Sequence, residues 1–274
     1  MNYNDVQWVI QNNLSSEDVL LEFKKSCDKI GVSYVEIEVI PFTTELPYFS
    51  TQKRSLIYGS VTFNNLVYAD PNLKNGIFFN DNFFMENYFK MYKNYMLNFD
   101  SKITSFRELK DSNEYGPDQL LFIRPNDDTK SFAGDIKEFK HIGPWYEGLK
   151  IYENTNLTVD TKIVVAEPFN LKKEWRLWIV NKKVVAASQY RKYFKLSKER
   201  GCPKDVIDFA EARCQEYTPH DVFVMDICLC GDELYIVECG CMNGSGFYHA
   251  NIYDIVKETT NYFINNNDST YTAK

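Results

Sequence analysis

The chain lacks any run of about 18 apolar residues, which argues against a membrane-spanning helix. Its opening, M-N-Y-N-D, has none of the charged-then-apolar character of a secretory leader, so a cytoplasmic setting is expected. An excess of positive charge is missing too. Lys and Arg number 31 against 38 Asp and Glu, for a net charge of −7, which argues against a nucleic-acid binder led by phosphate neutralisation. Only three histidines occur, His141, His220 and His249, and their separation offers no metal triad or proton relay. No G-x-x-x-x-G-K-[ST] loop, G-x-G-x-x-G turn or G-x-S-x-G elbow is present, so the common phosphate loops and the serine-hydrolase elbow are absent. Seven cysteines, an odd number without a secretory context, read as reduced thiols. Two C-x-C pairs, Cys228/Cys230 and Cys239/Cys241, raise the question of zinc. Strand alternation sends the two pairs to opposite faces, so buried small hydrophobes are the expected role.

What is present is most concentrated between Val222 and Tyr248, V-F-V-M-D-I-C-L-C-G-D-E-L-Y-I-V-E-C-G-C-M-N-G-S-G-F-Y. Two β-rich apolar runs flank a Gly-Asp turn, and each carries a carboxylate toward one end, Asp226 and Glu238. The amide Asn243 follows in a glycine-rich loop. Two strand carboxylates and an amide oxygen form an all-oxygen set of the kind Mg²⁺ takes when it is held on a nucleotide phosphate. A solvated strand face is the alternative. The metal reading requires Asp226 and Glu238 to share a face. A two-residue turn would put them on opposite faces, so an odd loop, Gly231-Asp232-Glu233, is expected.

With 274 residues the chain can bury a substantial core. Strand, helix and strand signals alternate at its start. D-V-Q-W-V-I-Q reads as a strand, and a helix follows with Ser15 and Asp18 as a capping-box start and Gly31 as its stop. Strands are expected at residues 32–40 and 55–58, a helix at 61–68, a short buried strand at G-I-F-F (76–79) and a helix over 81–96. This predicts an α/β N-terminal domain with a parallel sheet over residues 1–98. Beyond it, strands at 120–125, 162–167, 174–180, 184–190 and the 222–239 pair interleave with helices at 202–215 and 251–263. They make a second domain over 99–264, and 265–274 reads as a frayed tail.

Two further segments carry chemistry. In F-I-R-P-N-D-D-T-K-S-F-A-G, Arg124 at a strand end and Lys130 six residues on bracket a loop that could close over an anion, or simply lie in solvent. In V-V-A-E-P-F-N-L-K-K-E-W-R-L-W-I-V, a strand ending in Glu167-Pro168-Phe169 could present backbone and an aromatic edge to a flat base. Glu174 and Arg176, two apart on one face, could hold a ribose hydroxyl and a phosphate, or form a surface ion pair of little worth.

The order strand-R-P-loop-K, then A-E-P-F…E-W-R-L-W-I-V-N-K-K-V-V-A-A-S-Q-Y-R, then V-M-D-I…Y-I-V-E…N-G-S-G-F-Y resembles the ATP-grasp superfamily. It is closest to a clade common in phages and viruses that has arginine where the first nucleotide strand usually has lysine. The likeness covers roughly residues 55 to 255, including Y-G-S-V-T-F-N-N-L-V-Y-A-D. It implies a small α/β domain followed by two α+β subdomains clasping ATP and Mg²⁺, with Mn²⁺ as an alternative metal. The activity implied is ATP-dependent carboxylate–amine ligation through an acyl phosphate, on a peptide, a protein end or an amino acid. The resemblance places Arg124 and Lys130 on phosphates, Glu167, Pro168 and Phe169 along the adenine and Glu174 on the ribose. Arg176 and Arg191, with Lys130, would serve the transferring phosphate, and Asp226, Glu238 and Asn243 the metal. Many ATP-grasp enzymes read E-x-N at the second metal strand, whereas position 240 here is Gly240. The alternative is an ATP-binding, non-catalytic assembly chaperone or protein-binding module on the same fold.

Overall fold

The computed structural model describes residues 2–128, 131–151 and 157–266; Lys130 and the tail beyond residue 266 lie outside them. The first three strands, β1 (Val6–Gln11), β2 (Ser33–Ile37) and β3 (Arg54–Tyr58), form a parallel sheet in the order β2-β1-β3. Every residue of β1 is buried, because helices cover both faces of the sheet. Val6, Trp8 and Ile10 pack with helix α1 (Glu17–Ile30), while Val9 turns to the core of helix α2 (Val61–Ala69). The start of α1 differs from expectation. Ser16 rather than Ser15 is the N-cap and makes no side-chain cap bond, and the Ser15 hydroxyl lies 3.4 Å from that of Tyr58.

Two expected elements are corrected. Residues 76–78 are buried and Phe79 is half-buried, but none of them pairs with a strand; the Phe78 N–H goes instead to the Asn243 side chain at 2.7 Å. The helix expected over 81–96 is broken into a 3-10 turn (Asp81–Phe83), α3 (Met85–Tyr92) and a second 3-10 turn (Lys93–Tyr95). Lys93 sits at φ 53°, and the start of α3 is bound by Asn126, whose backbone and side-chain oxygens accept the Met85 and Glu86 N–H groups. Residues 83–96, assigned by sequence to the first domain, pack against a later sheet.

Next come β4 (Lys102–Ser105), α4 (Phe106–Lys110), β5 (Leu120–Pro125), β6 (Asp135–Glu138), α5 (Ile142–Ile151) and β7 (Lys162–Ala166). The strands pair antiparallel in the order β4-β7-β5-β6, and α4 and α5 cover one face through Phe106, Leu109, Ile142 and Tyr146. Then β8 (Leu171–Val180), β9 (Lys183–Lys192), β10 (Lys195–Arg200), α6 (Lys204–Glu216), β11 (Val222–Cys230) and β12 (Glu233–Gly240) build a five-stranded antiparallel sheet. Its order is β10-β9-β8-β11-β12, and α7 (Ile252–Asn266) closes the described chain.

The two faces of this larger sheet position the site. Trp175, Leu177 and Ile179 of β8, with Phe223, Met225 and Ile227 of β11, point into the core formed with α3 and α6. The alternate residues Trp178, Val180, Val222 and Val224 point the other way and pack with α1, α7 and the first sheet. Glu174, Arg176 and Asp226 share that second face by alternation, beyond the reach of the first sheet, and so line an open cleft. Asp226 stands directly opposite Glu238, as the metal reading requires. The odd residue is not in the turn, however. Cys230 pairs with Glu233 across the two-residue turn Gly231-Asp232, with Gly231 at φ 60°, and a bulge at Val237 restores the register.

Asn243 joins the first sheet to the loop after β12. Its amide donates to the carbonyls of Ile57 (2.7 Å) and Gly76 (2.8 Å), and its oxygen accepts from Phe78. The residue is fully buried. Asn243→Ala strands two carbonyls and one N–H in the interior and is expected to cost roughly 3 kcal/mol. Chemical denaturation of the wild type and the variant checks this.

Candidate active site

The cleft lies between the four-stranded and five-stranded sheets and encloses about 620 Å³, in the range of small-molecule sites. Its floor holds Glu174, Arg176 and Asp226, each at most 5% exposed. Arg176 grips Asp226 with two parallel bonds, Nε to Oδ1 and Nη2 to Oδ2, both 2.8 Å, and its Nη2 lies 3.7 Å from Glu238 Oε1. Arg124, on β5 of the opposing sheet, donates to Glu238 Oε2 and, at 3.3 Å, to the carbonyl of the bulge residue Val237. The Tyr190 hydroxyl reaches Glu174 at 2.9 Å and Asp226 at 3.2 Å, and Arg191, half exposed, stands 3.8 Å from Glu174. Glu167, Pro168 and Phe169 follow β7 along the cleft wall.

The structure therefore brings together Arg124, Glu167, Pro168, Phe169, Glu174, Arg176, Arg191, Asp226 and Glu238. Lys130 falls outside the described residues. Asn243 is corrected: it does not line the cleft, because its amide is committed to the first sheet. Sequence reasoning missed Tyr190 and Tyr248, whose rings stack at 5.0 Å and 11°. Tyr248 sits at φ 51°, a conformation that costs energy for a bulky side chain, with Arg176 5.3 Å from its ring centre. Its place at the end of G-S-G-F-Y was the available signal. Cys228 lies on the Asp226 strand face beside Glu174, whereas Cys239 is in the core on the other face. Among the described residues, no helix is long and apolar enough to cross a membrane.

A family model for an ATP-grasp domain, family 3 of its clade, matches residues 86–258, which include every cleft residue just named. The chain belongs to this ATP-grasp family. Among solved structures, an ATP-grasp RimK domain protein from Sphaerobacter thermophilus is 10% identical, with 94% of this chain and 99% of that one covered and a TM-score of 0.56. The macrocyclase MdnC of Microcystis aeruginosa, bound to its precursor peptide MdnA, is 12% identical over 95% and 99% of the two chains, with a TM-score of 0.55. The D-alanine–D-alanine ligase of Bacillus anthracis, complexed with ATP, is 13% identical over 93% and 97%, with a TM-score of 0.50. At these identities the likeness establishes the fold. No curated protein matches by sequence.

The ATP-grasp cleft has a definite electrostatic character. Burial opposes the charges on Arg124 and Arg176, but Glu238 and Asp226 outweigh it and drive both pKa values up. Tyr190 is pushed well above the usual phenol range, first by burial and then by Asp226 and Glu174, so it stays a neutral donor. Among the described residues no three His, Cys, Asp or Glu side chains already stand in metal-holding geometry. The Asp226–Glu238 pair nevertheless fits Mg²⁺, which is commonly held by one or two carboxylates and completed by phosphate and water.

Burial raises the pKa of Glu174, and the Tyr190 bond and Arg191 relieve this only in part. A raised acid costs stability once it ionises. That cost is absent below the unfolded-state value of about 4.3 and complete above the folded one. Glu174→Gln is therefore expected to be more stable than wild type at about pH 7, with the advantage fading toward about pH 4. Thermal melts across pH read this out, and a pH-independent difference would contradict it.

Proposed function

We propose that this protein is an ATP-dependent carboxylate–amine ligase that works through an acyl phosphate and releases ADP and phosphate. The observation that carries this reading is the register of Asp226 opposite Glu238, with Arg124 and Arg176 already drawn onto the two carboxylates. That arrangement concentrates two guanidinium groups and two carboxylates where a triphosphate and its cation need them. Phosphoryl transfer is mainly a matter of positioning and of neutralising charge.

In this reading a substrate carboxylate oxygen attacks the γ-phosphorus, the bond to the β-phosphate oxygen breaks, and ADP leaves. An amine then attacks the acyl carbon, phosphate departs, and the amine proton passes to solvent. The triphosphate oxygens compete for Arg124 and Arg176, which freely exchange a carboxylate for a phosphate partner of the same geometry. Asp226 and Glu238, so released, would hold Mg²⁺ or Mn²⁺, which when bound neutralises charge on the β- and γ-phosphates. Glu174 takes the ribose hydroxyls, with its carboxylate set by Tyr190. Residues Glu167 to Phe169 line the adenine, Lys130 adds charge to the phosphates, and half-exposed Arg191 faces the acyl phosphate.

The carboxylate and amine partners we propose are a peptide, a protein end or an amino acid, acted on in the cytoplasm. The use of Arg124 on the first nucleotide strand accords with a phage- or virus-type member of the clade. A second reading, an ATP-binding assembly chaperone or protein-binding module, is favoured by Gly240, which removes one side chain from the metal strand.

Calorimetry with a non-hydrolysable ATP analogue, with and without Mg²⁺, tests the site. Metal-dependent binding is expected for the wild type, and loss of about 100-fold or more in an Asp226→Ala, Glu238→Ala double variant. ADP release that requires both a carboxylate and an amine separates ligation from binding. AMP as the product sinks the ligase reading, and ATP-dependent capture of a protein without turnover favours the second.

A further inference from the structure

We propose that the hairpin joining β9 to β10 is the docking surface for an acidic peptide segment, the part of the substrate that flanks its reacting carboxylate. This names the substrate class of the proposed ligase and rests on that reading for its purpose. A row of three opposed lysines and an exposed aromatic turn beside the cleft carry it.

Charge is unevenly spread along the chain. Residues 171–200 hold ten of the 31 Lys and Arg but only two, Glu174 and Glu199, of the 38 Asp and Glu. In the sheet, Lys173, Lys192 and Lys195 stand directly opposite one another across β8, β9 and β10. Like charges so placed, with β-carbons about 5 Å apart, destabilise a sheet. Lys172 beside them pairs with Asp232 at 2.9 Å, whereas none of the three makes an ion pair among the described residues. An edge strand is often charged to keep other strands away, which accounts for Lys195 and Lys198 on β10. It does not account for Lys173 and Lys192, which lie on inner strands. An anion laid across the row would relieve the repulsion.

The turn between the two strands points the same way. Tyr193 and Phe194 form a two-residue turn with φ of 47° and 64°, a conformation that favours Asn-Gly. Two bulky side chains hold it here under strain, and they remain 62% and 54% exposed, followed by exposed Leu196. Phe194 lines the cleft, as does Arg191, the neighbour of Lys192. A peptide lying along the hairpin would set carboxylates over the lysines and apolar side chains on Tyr193 and Leu196, and would reach Arg191 past Phe194. The rest of the chain is strongly acidic, which opposes a long polyanion such as RNA and favours a short acidic segment confined to the hairpin.

Fluorescence anisotropy with a labelled hexaglutamate peptide tests the surface, with hexaglutamine and a single-stranded RNA hexamer as the other probes. The wild type is set beside a triple variant, Lys173→Gln, Lys192→Gln and Lys195→Gln. At low salt the wild type is expected to bind hexaglutamate most tightly of the three probes, and the variant to bind it about tenfold more weakly. Removing the repulsion is expected to raise the melting temperature of the ligand-free variant by roughly 2 °C, which separates lost docking from lost folding. With ATP and an amine, KM for a glutamate peptide rises in the variant while kcat holds. Equal binding of hexaglutamate by variant and wild type, or tighter binding of the RNA, overturns the proposal while the ligase reading stands. Hexaglutamate held by the lysines with no ADP released from any carboxylate and amine sinks the ligase reading and leaves the docking surface alone.

Discussion

The alternation of side chains along β8 and β11 is the constraint from which the rest follows. One face of the inner strands β8, β11 and β12 of the five-stranded sheet is core, closed by α3 and α6. The other face is asked to do two things. At one end Trp178, Val180, Val222 and Val224 seal it against α1, α7 and the first sheet. At the other end the same faces carry Glu174, Arg176 and Asp226 into the cleft. The charged floor is therefore continuous with a dry core and cannot shift independently of it. A register slip of one residue in β8 would bury the arginine among apolar side chains and break both roles together.

The cost of that floor bears on its purpose. A buried arginine–carboxylate pair seldom stabilises a fold more than well-packed apolar residues of the same volume would, because desolvation consumes most of the attraction. Arg176 and Asp226 are nearly inaccessible, Glu174 is destabilised by burial, and Tyr248 is held at an unfavourable φ. None of these is a good choice for stability alone. Their convergence on one cleft accords with a site maintained for binding, where strain and desolvated charge tend to gather.

Much of this was legible in the chain. The apolar runs of β1, β5, β8, β11 and β12, the stop at Gly31 and the order of the chemistry-bearing segments are local properties, and local properties survive into the fold. The failures share one cause, which is partners distant in sequence. Residues 76–79 have the composition of a strand, but their backbone is claimed by Asn243, 165 positions from Phe78. The 81–96 helix is interrupted where Asn126 takes its first N–H groups. Asn243, placed on the metal by motif, was already committed to carbonyls of the first sheet. The odd residue between Asp226 and Glu238 was rightly required by parity, yet parity cannot say whether it lies in a turn or a bulge.

The bonds of Asn243 bear on how the cleft can open. They tie the first sheet to the segment that leaves β12, and the Gly59 N–H adds a further bond, at 2.9 Å, to the Asn243 carbonyl. Pulling the first sheet away from the five-stranded sheet would break this web and expose the core they share. Tilting the four-stranded sheet, by contrast, disturbs chiefly the Arg124 contacts with β12, the Asp128 bond to Cys241 and the Asn126 bonds to α3. The first and last thirds of the chain share one core, while the middle third has its own sheet and core on the other side of the cleft.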